Sequence, residues 1–294
     1  MSLAEQATGP EQAPEIVESK GAWGFATRLR LRHPDGRLEV KHSRCHRKQL
    51  PAMPHWTAGL RLLLTSLWMP RDLNWWIGVV FAVGAGLFAL GCALFLYPPV
   101  ATALSVTEEQ ANAVFFAGSI PFTTAAYLQL YQAANAGTML GARKPGRAWI
   151  GWRPGDAGWL SCALQFIGTV LFNFNTYDAL IPGLSWWQQD LYIWAPNVLG
   201  SILFLSSGYL AWIEICHKHF AWEPEHISWW IGGINLLGCI AFMISSLFAF
   251  TPAQAFSFDA MTVSLVFTLL GAIAFFLGAI LLLPETAAAN TGKS

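Results

Sequence analysis

Charge is what this chain has least of. Only 12% of its 294 residues are Asp, Glu, Lys or Arg, against about 25% in an ordinary soluble domain. That shortage excludes a water-soluble enzyme, a disordered chain and a protein that coats nucleic acid. Cysteine is sparse too. Cys45, Cys92, Cys162, Cys216 and Cys239 fall in apolar stretches or on the side that the charge placement below makes cytoplasmic, where thiols stay reduced, so no structural disulfide is expected. The first 20 residues are acidic and contain Pro without an apolar core, which argues against a secretory signal and leaves insertion to the first apolar stretch. Catalytic and conduction signatures are missing: there is no P-loop, G-x-S-x-G elbow, H-E-x-x-H pair or potassium-filter sequence. Neither an enzyme nor a cofactor is expected.

Apolar residues are what is there, at 54% of the chain. They form six stretches near Trp75–Tyr97, Ala111–Ala134, Ala157–Leu180, Leu191–Glu214, Trp229–Phe250 and Ala260–Leu283. Each is long enough to cross a bilayer as a helix, and none alternates as a barrel strand would. The seventeen Lys and Arg residues balance seventeen Asp and Glu, so only their placement informs. Eleven precede the first stretch, four (Arg143, Lys144, Arg147, Arg153) separate the second from the third, and Lys218 and Lys293 complete the set. With six spans all lie on one side, which the positive-inside rule makes cytoplasmic together with both termini. Lys, Arg and His are absent from mid-depth, while Asp178 and Glu214 stand near span ends. Ion-coupled transport therefore has little visible machinery.

A pattern recurs three times. Trp68, Pro70, Asp72 and Trp75 are matched at equal spacing by Trp152, Pro154, Asp156 and Trp159, and by Trp222, Pro224, His226 and Trp229. Nine residues beyond the last Trp of each comes Gly and four later Phe: Gly84 and Phe88, Gly168 and Phe172, Gly238 and Phe242. The returning spans repeat the pair as Gly118 and Phe122, Gly200 and Phe204, Gly271 and Phe275. The predicted fold is an all-α polytopic membrane protein of six transmembrane helices, arranged as three helical hairpins about a pseudo-threefold axis along the membrane normal. Asn74, Gly158 and Ser228 are the expected N-caps, with Asp72 and Asp156 favouring the positive helix end. Trp suits the headgroup layer, and Gly allows close helix approach.

The stretch from Asn74 to Phe88, the returning Phe116-Ala117-Gly118-Ser119 and the counterparts from Ser228 to Phe242 resemble the two-helix YrhK-like domain of bacterial membrane proteins. His46-Arg47-Lys48 upstream is similar to what precedes such a hairpin. The resemblance implies a bacterial inner-membrane protein and carries over no catalytic residues. The charged, Pro-containing helix signature of mitochondrial carriers is missing, which excludes that family.

The domain reading is a disordered tail at 1–20, a basic segment at 21–73, hairpins at 74–135, 136–215 and 216–284 (the last two with their leading loops), and a disordered tail at 285–294. Within the basic segment, alternation around His33-Pro34-Asp35-Gly36 predicts a β-hairpin with Leu29, Leu31, Leu38 and Val40 on one face. Its eleven cations between Lys20 and Arg71, against two acids, serve either anionic lipid headgroups or topology alone.

Gln165 and Asn235 each stand three residues before a recurring Gly, where the first hairpin has Phe81. They are the candidate substrate-binding residues, with an interhelical hydrogen bond as the alternative. Asn173, Asn175, Tyr177 and Asp178 form a second polar group. Gln132, Glu214 and Glu285, each fourteen residues after a returning Gly, are expected to be solvated. His42, Cys45, His46, Cys216, His217, His219 and His226 carry metal-ligand chemistry but fit no standard zinc spacing and have basic neighbours, so no metal site is expected. Two functions remain: a non-enzymatic sensing, scaffolding or interaction protein, and a small-solute channel or transporter along the axis. A wet axis past Gln165 and Asn235 would favour the second, and an axis filled by Phe and Leu the first.

Overall fold

Six helices long and apolar enough to cross a membrane make up most of the structure, a computed structural model that describes residues 13–56, 62–63, 66–141, 146–250 and 259–291. Before them come strands β1 (Glu15–Lys20), β2 (Arg28–Arg32) and β3 (Leu38–His42) and the short helix α1 (Ser43–Lys48). Spans α2 (Leu73–Leu96) and α4 (Glu108–Asn135) are joined by the small helix α3 (Pro98–Ala103). Then follow α5 (Ala157–Asp178), α6 (Trp186–Cys216), α7 (Ile227–Phe248) and α8 (Ala260–Thr291). The first turns of α6 include a π-helical segment, Gln189–Trp194.

The spans form a closed ring in chain order, because each packs on its sequence neighbours and α8 returns to α2. Glycine sets the closest approaches. A Cβ on Gly84 would lie 2.9 Å from the Phe122 amide nitrogen and 3.0 Å from the Gly118 carbonyl oxygen, and one on Gly168 would lie 2.7 Å from the Phe204 ring. One on Gly238 would meet the Phe275 ring at 3.1 Å. The Phe residues four positions on turn inward, and Phe88, Phe122, Phe172, Phe204, Phe242 and Phe275 pack together with centroids 5.0 to 6.4 Å apart. Val83, Ile167 and Leu237, each one residue before a glycine, point outward and are exposed, as lipid-facing positions should be.

Ahead of α2, α5 and α7 stand edge-to-face pairs of tryptophans at 5.6, 5.6 and 5.0 Å: Trp68 with Trp75, Trp152 with Trp159 and Trp222 with Trp229. The outer member of each is exposed and the inner buried. The helix caps lie two residues earlier than the sequence suggests. Asp72 accepts from the Asn74 amide and Asp156 from those of Gly158 and Trp159, while His226 occupies the third cap without a side-chain bond. A carboxylate at the cap adds a favourable charge at the positive helix end, and with the caps two residues earlier Asn74 and Ser228 turn to other partners.

The two terminal segments depart from expectation in three ways. Glu15–Lys20 is a strand, making an antiparallel β1-β2-β3 sheet; residues 1–12 lie outside the described residues. Leu29 and Leu31 are buried, but Leu38 and Val40 are exposed on the opposite face. Pairing across the five-residue connection sets Arg32 against Leu38 and Leu31 against Glu39, so the two leucine pairs alternate out of phase. Finally, the C-terminal stretch continues α8 to Thr291, with 292–294 outside the described residues.

Candidate functional site

At the end of the ring where α1 lies, the hydrophobic spans meet a cluster of buried charged and polar side chains. The helix is only six residues long, yet Ser43, Arg44, Cys45, Arg47 and Lys48 are all buried. Positions 44, 47 and 48 share one helical face, so three cations point the same way. Two carboxylates await them, and the expectation that these are solvated is wrong. Glu214 is 0% and Glu285 1% exposed, because ion pairing and hydrogen bonding replace their water. Arg47 Nη2 donates to Glu214 Oε2 at 2.8 Å and Ser43 Oγ to Glu214 Oε1 at 2.6 Å. Arg44 Nη2 donates to Glu285 Oε1 at 3.0 Å, and Lys48 and Ser228 also donate to Glu285. The third residue of the set, Gln132, is buried as well and donates to Asn74 Oδ1 at 2.8 Å, while Asn74 Nδ2 donates to the Lys48 carbonyl at 3.2 Å.

Each of these buried side chains thus faces the start of a neighbouring span: Gln132 against Asn74, Glu285 against Ser228, Glu214 against Gly158. Glycine at 158 is required by this approach. A Cβ there would lie 2.3 Å from Glu214 Oε1 and 2.8 Å from Arg47 Nε. Where Asn74 and Ser228 use their own side chains, residue 158 has none, and Ser43 of α1 supplies the hydroxyl.

The electrostatics follow from burial and pairing. Burial disfavours the Arg47 charge, but Glu214 beside it outweighs that and holds the guanidinium above its ordinary range. Lys48 is lowered to about 8 by burial and by Arg44, which Glu285 only partly offsets. Burial, then Glu285, pushes the Cys45 thiol up to about 12, so it is neither a thiolate ligand nor a nucleophile at neutral pH.

Beneath α1 lies an axial cavity of about 60 Å³. Its walls include Gln165 and Asn235 as well as Phe81, the three side chains that precede the close-packed glycines, together with Gln129. Arg44, Arg47 and Lys48 form its roof, and Phe204 and Phe275 of the phenylalanine cluster close it on the other side. Asn235 packs over Gly278, where a Cβ would lie 2.1 Å from its Oδ1, and that oxygen is buried with no hydrogen-bond partner among the described residues. The cavity holds a few waters at most.

The metal-ligand candidates separate into pairs. His42 Nδ1 lies 2.8 Å from His217 Nε2, whose other nitrogen is 3.0 Å from Thr27 Oγ1. Burial, with His42 and Arg28 nearby, lowers His217 to about 4. His219 meets the Tyr209 hydroxyl at 2.6 Å, His226 stacks against His55, and Cys216 points to the Ala221 carbonyl. Burial lowers His46. No group of three His, Cys, Asp or Glu side chains fit to hold a metal ion is found among the described residues. Of the polar group at the other end of the ring, Asn175 donates to the Ile193 carbonyl at 3.1 Å and Tyr177 packs on Phe116. Asn173 Oδ1 is buried with no hydrogen-bond partner among the described residues, and Asp178 closes α5.

Comparison with family models, with curated proteins and with solved structures finds no match. The fold therefore defines only a class: a mostly helical protein whose six apolar helices fit a multi-pass membrane protein.

Proposed function

We propose that this is a non-enzymatic membrane protein that senses or scaffolds through its basic N-terminal segment. In this reading it sits in a bacterial inner membrane with both termini cytoplasmic and is built from three copies of one helical hairpin about a threefold axis. Its hairpins resemble the YrhK-like domain. The charge distribution supports the orientation. The glycine approaches, the three tryptophan pairs and the three matched contacts at Asn74, Gly158 and Ser228 support the repeat.

The observation that carries the reading is the closed axis. Six phenylalanines fill its middle, and α1 covers the mouth above with its cations bound to the spans' own carboxylates. A solute path would need both to open. Coupling, by contrast, is built in, since any shift of Glu214 or Glu285 must move α1 and the sheet attached to it. Exposed Arg30, Arg32 and Arg37, the last two in solvent-exposed ion pairs with Glu15 and Asp35, can turn to anionic headgroups, each worth about 1 kcal/mol near a charged surface, whereas Arg44, Arg47 and Lys48 are held in buried pairs within the protein.

The second reading, a small-solute channel or transporter, draws on one observation: polar cavities lie on both sides of the phenylalanine cluster, one lined by Gln165 and Asn235. Proteoliposomes separate the two. Glycerol and urea should equilibrate no faster with the protein than in empty vesicles, and Phe122→Ala with Phe204→Ala should not change that. Flux in the native protein would overturn the sensing reading, and flux in the double variant alone would make the cluster a gate.

A further inference from the structure

At the end of the ring opposite α1 lies a vestibule of about 910 Å³, lined from all six spans or the residues that adjoin them. It is therefore central and not a groove facing lipid. It shares Asn112, Phe115 and Ala179 with a neck of about 150 Å³, which again draws on every span and ends on Phe88, Phe172 and Phe242. The combination of an enclosed apolar floor with a few converging polar groups is what small-molecule sites have in common.

The chemistry of the lining is selective. Among the described residues no Lys, Arg, His, Asp or Glu lines the neck, and Glu108 at the rim is the one ionisable residue that lines the vestibule. Instead Asn112, Asn175 and Asn197 bring three carboxamides into the neck. Asn175 donates one amide N–H to the Ile193 carbonyl, which leaves its second N–H in reserve. Thr176 and Thr268 complete the polar belt, with their hydroxyl protons already donated to main-chain or neighbouring oxygens. A charged ligand would be stripped of water with no counter-charge to meet it. A neutral head can pair with the amides while its apolar body lies on the phenylalanine rings.

We propose that the vestibule and neck form a binding site for a small uncharged molecule with a hydrogen-bonding head and an apolar body. This rests on the cavity alone and is independent of whether the protein senses or conducts.

The test uses the full chain in detergent, so that membrane orientation does not enter. Ala179→Cys and Phe115→Cys place a thiol at the neck and leave its three carboxamides in place, Ser105→Cys places one outside it, and the native chain with its five buried cysteines is the blank. Three methanethiosulfonates are compared: neutral hydroxyethyl, anionic sulfonatoethyl and cationic trimethylammonioethyl. At Ser105 their relative rates should match those with a free thiol. At the neck, relative to Ser105, the neutral reagent should be favoured at least about tenfold over either charged one. Millimolar benzamide should slow the neck reaction and leave Ser105 unaffected, while benzoate and benzamidinium should slow neither. The proposal is overturned if both neck thiols are inert in protein that elutes as the native chain does, if a charged reagent matches the neutral one there, or if benzamide gives no protection. Preference for the cationic reagent would instead assign the site to amines drawn by Glu108 and the aromatic rings.

Discussion

Glu214 and Glu285 show how far one residue's setting can move its role. Each is a lone carboxylate at the end of an apolar helix, a position that reads as solvated, and each is enclosed once α1 is laid across the ring. Removing one partner of such a pair leaves a buried charge uncompensated, which typically costs about 3 to 5 kcal/mol, whereas replacing both by groups of similar volume is often neutral. Glu214→Gln and Arg47→Met should therefore each lower the unfolding temperature clearly in detergent, and the double variant should recover most of the loss. Additive losses in the double variant would show that the two residues act separately. The cations were legible in the sequence only as part of a basic segment; that they share one helical face, and what pairs with them 167 and 241 residues away, was not.

Among the elements, the spans were the most legible, since their length and apolarity are set by the bilayer and hardly depend on what they pack against. Observed helix ends differ from the expected ones by only a few residues, except that α6 begins near Trp186 and α8 runs on to Thr291. Register in the sheet was not legible, because a single residue in a connection reverses which side chains face inward. The close helix approaches were anticipated at Gly84, Gly168 and Gly238, and the structure now ranks them. Gly84 and Gly168 would place a new Cβ within 3 Å of a neighbour, in the first case backbone, whereas Gly238 would meet only rings and a methyl at 3.1 Å or more. Alanine should be most costly at 84, then 168, and mildest at 238. Leucine should be severe at all three, since overpacking typically costs about 1 to 3 kcal/mol. Val83→Ala, Ile167→Ala and Leu237→Ala, on the outward face, are the matched controls and should move the unfolding temperature little.

For the whole molecule, the proposed orientation makes a direct prediction. In intact cells, cysteines at Ser105 and Ser185 should react with an impermeant thiol reagent added outside, and one at Ala148 should react only after the membrane is opened; Ser257, the natural third outer site, lies outside the described residues. Labelling of Ser105 or Ser185 only in opened cells would reverse the assignment of the two ring ends, moving the α1 cluster outside and the vestibule inside.

By itself the sequence determined that the protein is helical and membrane-bound, where its apolar spans run and which side chains recur along them. These properties follow from local composition and spacing, which a bilayer reads one helix at a time. Only the tertiary structure decided that the spans close into a ring, that six phenylalanines fill its axis and that Gln165 and Asn235 line one small cavity. It also decided that Arg44, Arg47 and Lys48 belong to Glu214 and Glu285. Pairings between residues so distant along the chain depend on which helix ends converge in space, and a buried charge takes whatever partner that convergence provides.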